Sequence, residues 1–262
     1  MQGSFLLKRE ITTKLVVGKM ETEGVGIHFH SHIEIYLVKS GEIEVIVNDK
    51  RKTLGKGELS VALSYDSHGF KNTVGSDAII LIIPTSWCSE FLSASSGKRL
   101  ESPFISDERV YNTVLHAMEN LMEGGNELSK RGQICVVLGA ILDKMTSADD
   151  NSSPSHSFSA EILIYISEHS KEELTLPELS RKFGYNPSYL SRMFRSAFGI
   201  SFVEYLTMLR LREAILLLRS GKKSVTECAM ESGFGSMRSF YRAFSEEFGV
   251  TPKEYLKQLN VN

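Results

Sequence analysis

Five residues near the front of the chain are equipped for chemistry. His28, His30 and His32 stand at alternate positions in GIHFHSHIEIYLVKSG, Glu34 follows two residues on, and His68 lies in SYDSHGFKN. Alternate residues of a strand share a face, so one strand would carry the first three histidines and Glu34 side by side. Neutral imidazole both hydrogen-bonds and binds metal ions. The row therefore reads as the lining of a polar pocket, as a metal site, or as hydrogen-bonded structure, and the residues alone leave these open. No glycine-rich phosphate loop and no useful Ser/His/Asp grouping accompanies them. Cys88, Cys135 and Cys228 are odd in number, far apart and in no C-x-x-C pair, which argues against a disulfide framework or a structural zinc.

A second set of polar side chains lies far downstream, in GYNPSYLSRMF (Gly184 to Phe194) and GFGSMRSFYRAF (Gly233 to Phe244). Aligning Ser188–Leu206 with Arg238–Leu256 gives seven identities in nineteen positions, among them Arg192/Arg242, Phe194/Phe244 and Gly199/Gly249. Upstream the match continues with one residue fewer between copies, at Leu179/Cys228 and Gly184/Gly233. This is an internal duplication of one helical unit. Each copy reads as helix, glycine turn, helix. Asn186 and Ser236 suit the cap of the second helix, and Pro187 suits its first position. Leu190, Phe194 and Phe198, like Phe240, Phe244 and Phe248, recur at spacings of four and should face a core. Ser188, Ser191, Arg192 and Arg195 then point outward, as do Met237, Arg238, Tyr241 and Arg242. Arginine contacts guanine bidentately and serine donates or accepts, so this is the chemistry of reading a DNA major groove. Ser201 to Arg219 reads as one helix joining the copies, about 28 Å long, against the ~34 Å between successive major grooves on one face of DNA.

The elements that must position these groups differ in texture along the chain. From Lys14 to Ile83 short alternating runs, EIEVIVN, IEIYLV, GELSVAL and DAIILII, are punctuated by turn residues such as Ser40-Gly41 and Asn48-Asp49. They suggest an antiparallel sandwich or barrel. From Asp107 to Met145 the period becomes helical, with Val110, Val114, Met118 and Leu121, then Ile134, Leu138, Ile141 and Met145. These helices should pack on the barrel or on a second subunit. Trp87, the single tryptophan, follows the last strand and is read as closing the barrel, with stacking on a sugar-like ligand as the alternative. Thr146 to Ser157, TSADDNSSPSHS, is small and polar and reads as a linker. Beyond it the pattern is helical throughout, and Thr175–Glu178, Ser201–Glu204, Ser224–Glu227 and Thr251–Glu254 each fit the S/T-x-x-E capping box.

Charge adds a limit. The formal net charge is −2 and the pI about 6.4, so binding to nucleic acid must rest on local clusters rather than on bulk attraction. Ser157 to Asn262 holds fourteen Lys+Arg against twelve Asp+Glu, with Arg192, Arg195, Arg210, Arg212, Arg219, Lys222, Lys223, Arg238 and Arg242 expected near the DNA face. No apolar run approaches the ~18 residues of a membrane span, and the first twenty residues do not resemble a signal peptide. A reducing cytoplasm is the expected compartment.

LTLPELSRKFGYNPSYLSRMFRSAFGISFVEYL, the joining LRLREAILLLRSG, and SVTECAMESGFGSMRSFYRAFSEEFGVTPKEYL resemble the DNA-binding region of the AraC/XylS family of bacterial transcription regulators, over roughly residues 158 to 258. The resemblance implies two helix-turn-helix units whose second helices read bases, at Ser188, Ser191 and Arg192 and at Met237, Arg238, Tyr241 and Arg242. Gly235 departs from the polar residue usual in the second turn. The front half resembles the cupin barrel. His28-x-His30-x3-Glu34-x6-Gly41 fits its first motif, and Gly57-x10-His68-x3-Asn72 its second, with Leu63 and Tyr65 in place of the usual proline and glycine. In metal-binding cupins the matching ligands would be His28, His30, Glu34 and His68, a set suited to zinc, iron, manganese or nickel. In AraC-type regulators the same barrel more often senses an organic effector.

The expected fold is therefore α+β and multidomain: residues 1–146 form a cupin-like antiparallel β barrel with two helices, 147–157 a linker, and 158–262 an all-α domain of two helix-turn-helix units. The expected function is a sequence-specific transcription regulator, an activator, with no enzymatic activity and no cofactor. A small-molecule effector, a sugar or related metabolite among the candidates, would bind at His28, His30, His32, Glu34 and His68. The expected partners are double-stranded DNA, that effector, RNA polymerase and a second copy of the chain, and no membrane. The alternatives are a cupin metalloenzyme with a helical appendage and a regulator that binds DNA without an effector.

Overall fold

The computed structural model describes residues 4–5, 14–20, 24–72, 75–147, 155–198 and 200–259. Residues 148–154, which hold most of the expected linker, lie outside the described residues, as do the side chains of Asn72 and Phe198. The chain divides into two compact units, one built on Thr12–His156 with the first strand, the other on Ser157–Asn262.

In the first unit the strands are β1 (Ser4–Phe5), β2 (Val16–Lys19), β3 (Gly24–Phe29), β4 (Ile33–Ser40), β5 (Ile43–Val47), β6 (Lys50–Leu54), β7 (Leu59–Ala62), β8 (His68–Asn72), β9 (Asp77–Ile83), β10 (Lys98–Leu100), β11 (Phe104–Ile105) and β12 (Met145–Ser147). Its helices are α1 (Ser89–Ala94), α2 (Glu108–Glu123) and α3 (Glu127–Leu142). One five-stranded sheet runs β1-β3-β8-β5-β6 and the other β11-β7-β4-β9-β2, while β10 and β12 pair separately. Apart from the parallel contact of β1 with β3, the described pairings are antiparallel.

β4 explains the layering. Its residues alternate, and both faces are buried, so it reads as a nearly unbroken apolar run. Tyr36 and Val38 point into a core shared with Ile43, Val45, Val47 and Phe70 of the opposite sheet. Ile33, Ile35 and Leu37 point the other way, into a core with Val114, Met118, Val137 and Ile141 of the two long helices. Ile35 is fully buried, and truncating such a residue to alanine costs about 2–5 kcal/mol. The helices thus pack on the outer face of the β4 sheet. Asp107 and Asn126 cap them, accepting from the amides of Val110 and Ser129. Met145 does not continue the apolar series of α3, because the helix ends at Leu142 and Met145 enters β12. Trp87 does not close the barrel interior. It packs against the outer core, with the Arg131 guanidinium 4.8 Å from its ring centroid.

The second unit comprises α4 (Ser155–Glu168), α5 (Leu176–Phe183), α6 (Pro187–Phe198), α7 (Phe202–Ser220), α8 (Val225–Glu231), α9 (Met237–Phe248) and α10 (Pro252–Leu259). All four expected capping boxes form. Thr175, Ser201 and Ser224 each exchange hydrogen bonds with the glutamate three residues on, and Thr251 does so with Glu254. Each satisfies two amides that the first turn of a helix leaves without partners. Leu190, Phe194, Phe240 and Phe244 are fully buried, as is Cys228, while Phe248 is half-buried. Gly184 turns the chain with φ 72° and Gly233 with φ 91°. A side chain at Gly233 would also meet Lys171 Cα at 2.8 Å, so glycine is required there twice over. Gly235 has open space around it and an ordinary φ, so its departure from the family pattern leaves the second turn unstrained.

Candidate functional site

The first constellation sits where the two sheets of the barrel meet. His28 of β3 and His68 of β8 are directly opposed across the ladder, and their rings lie 4.4 Å apart. The chain does not stay in one strand through the histidine row. β3 ends at Phe29, β4 begins at Ile33, and His30-Ser31-His32 turns the corner from one sheet to the other. Strand alternation therefore stops at His30, and the expectation of a single histidine-bearing face is corrected. The corner nevertheless delivers His30 to Glu34, the first inward residue of β4, and His30 Nε2 lies 3.1 Å from Glu34 Oε2. Donor atoms of His28, His30, Glu34 and His68 all fall within 4.8 Å of one another, and all four residues are buried. His32 is buried as well, but sits beside this group, its ring 5.5 Å from that of His30.

Protonation follows from the surroundings. Burial pushes the His30 pKa down to about 4, against the opposing influence of its hydrogen bond with Glu34. Burial also resists ionisation of Glu34, but the His30 hydrogen bond and the attraction of His68, 3.7 Å away, outweigh it and hold the carboxyl well below its ordinary value. At neutral pH the pair is a neutral imidazole donating to a carboxylate. His28 Nδ1 lies 2.9 Å from the Gly26 carbonyl and His68 Nδ1 2.7 Å from the Asp66 carbonyl. A carbonyl only accepts, so each Nδ1 carries the proton of its hydrogen bond, which fixes the orientation of both rings. Histidines that ligate metals are oriented by outer hydrogen bonds of this kind. The donor set and its spacing fit a divalent transition metal. An open groove of about 250 Å³ lies elsewhere, lined by Gly26, Ile46, Arg51, Gly69 and Lys71 among others.

Two tyrosines that the sequence reading did not place in the site belong to it. Tyr36, fully buried, donates to Glu34 Oε1. Tyr65 takes a left-handed φ of 68° where the cupin pattern has glycine, and its amide donates to the His30 carbonyl at 2.8 Å. The glycine of that motif was the available signal for Tyr65; Tyr36, two residues from Glu34 on a strand face, had none of its own.

The second constellation is on the helices that follow Gly184 and Gly233. Asn186 accepts from the Ser188 amide at 2.9 Å and Ser236 from the Ser239 amide at 3.2 Å, so α6 and α9 start alike. Ser188, Arg192 and Arg195 are exposed and Ser191 half-buried; Arg238, Tyr241 and Arg242 are exposed and Met237 half-buried. Tyr189 adds an exposed ring beside Ser188, stacked on Tyr185 with centroids 5.6 Å apart. Not every expected basic residue belongs here. Arg210 is held inward, donating to the Ser170 and Glu172 carbonyls at 2.8 Å each. Arg219 donates to the Tyr255 hydroxyl at 3.0 Å, and Lys223 pairs with Glu231. These three stabilise the unit itself.

Comparison with known proteins agrees with both halves. A helix-turn-helix domain family matches residues 179–258 and a cupin domain family residues 16–84. The HTH-type transcriptional activator RhaS of Klebsiella pneumoniae is 24% identical over 97% of this chain and 95% of its own length. The Msm operon regulatory protein of Streptococcus mutans is 24% identical over 85% of this chain and 77% of its own. Among solved structures, ToxT from Vibrio cholerae aligns over 93% of this chain and 97% of its own, with 15% identity and a TM-score of 0.48.

Proposed function

The chain belongs to the AraC/XylS family of bacterial transcription regulators, and from that premise we infer how its parts divide the work. It is a sequence-specific DNA-binding regulator, controlled by an effector bound in the cupin-like barrel. We assign base reading to Ser188, Ser191, Arg192 and Arg195 in α6 and to Met237, Arg238, Tyr241 and Arg242 in α9. The observation that carries this assignment is the repeated start: a left-handed glycine, a capped helix, and an arginine at the same position, Arg192 and Arg242, exposed in both. Activation is the mode proposed, with RNA polymerase as the recipient of the signal. A second copy of the chain docks on the outer side of α3, where Leu128 and Val136 are exposed. Among the described residues no helix is long and apolar enough to cross a membrane, and the cytoplasm is the proposed compartment. No catalytic role is proposed.

The effector site proposed is the buried group His28, His30, His32, Glu34 and His68. A second reading of it is favoured by the four donors within 4.8 Å: His28, His30, Glu34 and His68 hold a divalent metal ion. When bound, such an ion would supply a fixed positive charge to the barrel interior.

The test of the DNA assignment is selection of bound fragments from sheared genomic DNA by the full chain. Two short conserved blocks spaced about one helical turn apart, ~34 Å, are expected. A single block, or blocks at arbitrary spacing, would refute the paired reader.

A further inference from the structure

The barrel interior around the histidines has the dimensions of an ion's site. His28, His30, Glu34 and His68 are each no more than 2% exposed. The next layer along the same strands is filled: Val47 lies opposite His68 and Val45 opposite Phe70, and the Tyr36 and Phe70 rings meet at 4.9 Å. An organic molecule placed among the four donors would have to displace this core.

The same four residues also tie the site to the rest of the unit. Without an ion, Glu34 is shared between His30, which donates to Oε2, and Tyr36, which donates to Oε1. An ion that takes Glu34 and His30 as ligands must replace their mutual hydrogen bond, so β4 has two different bonding arrangements at its inner end. Its outer side is fastened to the helices. Ile33, Ile35 and Leu37 share a core with α2 and α3. Tyr111 of α2 donates to the Val38 carbonyl at 2.8 Å, and Lys39 pairs with Glu119 of α2 at 2.7 Å. A change at Glu34 therefore reaches α2 through a single packed strand, with no loop between.

We infer that the effector of this regulator is a divalent transition-metal ion, bound by His28, His30, Glu34 and His68, with Tyr36 as the positioning residue that holds Glu34 in place. The inference rests on the metal reading of the cluster and adds to it that ion occupancy is the regulatory signal. Imidazole-rich sites prefer zinc, nickel, cobalt, iron or manganese to the oxygen-seeking magnesium and calcium. An effector shifts a regulator only through a difference in affinity between its two states, so ion binding and DNA binding must be linked in both directions.

The test uses the full-length chain freed of metal by chelation. Zn²⁺, Ni²⁺, Mn²⁺ and Mg²⁺ are titrated separately, with bound metal counted by mass spectrometry and affinity measured by calorimetry. The DNA probe is a fragment recovered by genomic selection, followed by fluorescence anisotropy with and without the ion. One transition-metal ion per chain is expected, Mg²⁺ should not compete, and DNA affinity should change at least ~5-fold. Tyr36→Phe should bind the ion ~10–100-fold more weakly, with the DNA response displaced to correspondingly higher ion concentration. Glu34→Gln should lose ion binding and response together, and His116→Ala, on the exposed side of α2, should change neither. Unfolding curves for each variant separate loss of a ligand from loss of the fold. If no ion binds the wild type, both the metal reading and this inference fall. If one ion binds and DNA affinity does not move, the metal reading stands and the regulatory inference is overturned. If Tyr36→Phe binds as the wild type does, the positioning role is overturned.

Discussion

His30 should make the metal-free barrel acid-labile, and the size of the effect can be worked out. Its pKa is lowered from an ordinary 6.5 to about 4 by burial. Between those values the unfolded chain carries a proton on His30 that the folded chain refuses. The contribution is therefore complete above pH 6.5 and is lost as pH falls toward 4. Two and a half pK units correspond to about 3 kcal/mol, of which about 2 kcal/mol should be gone by pH 5. Glu34, whose folded pKa is lowered, keeps its contribution above its ordinary 4.5 and loses it only below, so the two windows hardly overlap. The assay is urea unfolding of the full chain with chelator present, between pH 7.5 and 4.5. Trp87 is the single tryptophan and lies in the first unit, so its fluorescence reports that unit alone. His28, His32, Glu34 and His68 face the same space, and His30→Gln isolates the His30 share: the variant should lose most of the slope between pH 6.5 and 5. An unfolding midpoint that stays constant from pH 7 to 5, or a slope unaffected in His30→Gln, would refute the reasoning.

The other predictions concern the helical unit. Arg192→Ala and Arg242→Ala should each weaken specific binding by about 1–3 kcal/mol and relax preference at one base position in different blocks; competition binding against single-base variants checks this, and unchanged preference in both would move base reading elsewhere. The logarithm of DNA affinity should fall linearly with the logarithm of salt concentration for cognate and random sequence alike; a flat dependence would contradict phosphate-led docking. Gly233→Ala should destabilise the second unit by more than about 1 kcal/mol, because of the φ of 91° and the approach to Lys171, whereas Gly235→Ala should leave thermal unfolding by circular dichroism nearly unchanged; equal effects at the two glycines would refute the packing argument.

What the sequence made legible was what is encoded locally. A capping box spans four residues, so the starts at Thr175, Ser201, Ser224 and Thr251 could be read directly, and the duplication cross-checked them. The αL turns at Gly184 and Gly233 were legible for the same reason. Arg210 was misplaced because its partners, the Ser170 and Glu172 carbonyls, lie some forty residues away, and charge alone cannot distinguish a phosphate contact from a backbone clamp. In the barrel, spacing identified the four donors, but not the corner at His30-Ser31-His32, since alternation of apolar and polar residues carries no mark of a change of sheet. The same blindness hid Trp87, which packs outside the sheet rather than within it. Tyr36 shares the Glu34 face by strand alternation, but nothing in its residue type or spacing marked its hydroxyl as Glu34's partner.

The pairing of β4 with β9 has a consequence for how the molecule is made. Ile33 pairs with Ile83, and the outer core joins Ile33 to Ile141, so a nascent chain must extend past residue 141 before that core can close. Contacts of such long sequence separation form slowly. The capping boxes of the second unit, by contrast, each close within four residues of chain. Until α2 and α3 arrive, Ile33, Ile35, Leu37, Ile79 and Leu81 form a bare apolar sheet face, the kind of transient surface on which nascent chains aggregate. Yield on overexpression should therefore be governed by closure of the barrel's outer core rather than by the DNA reader.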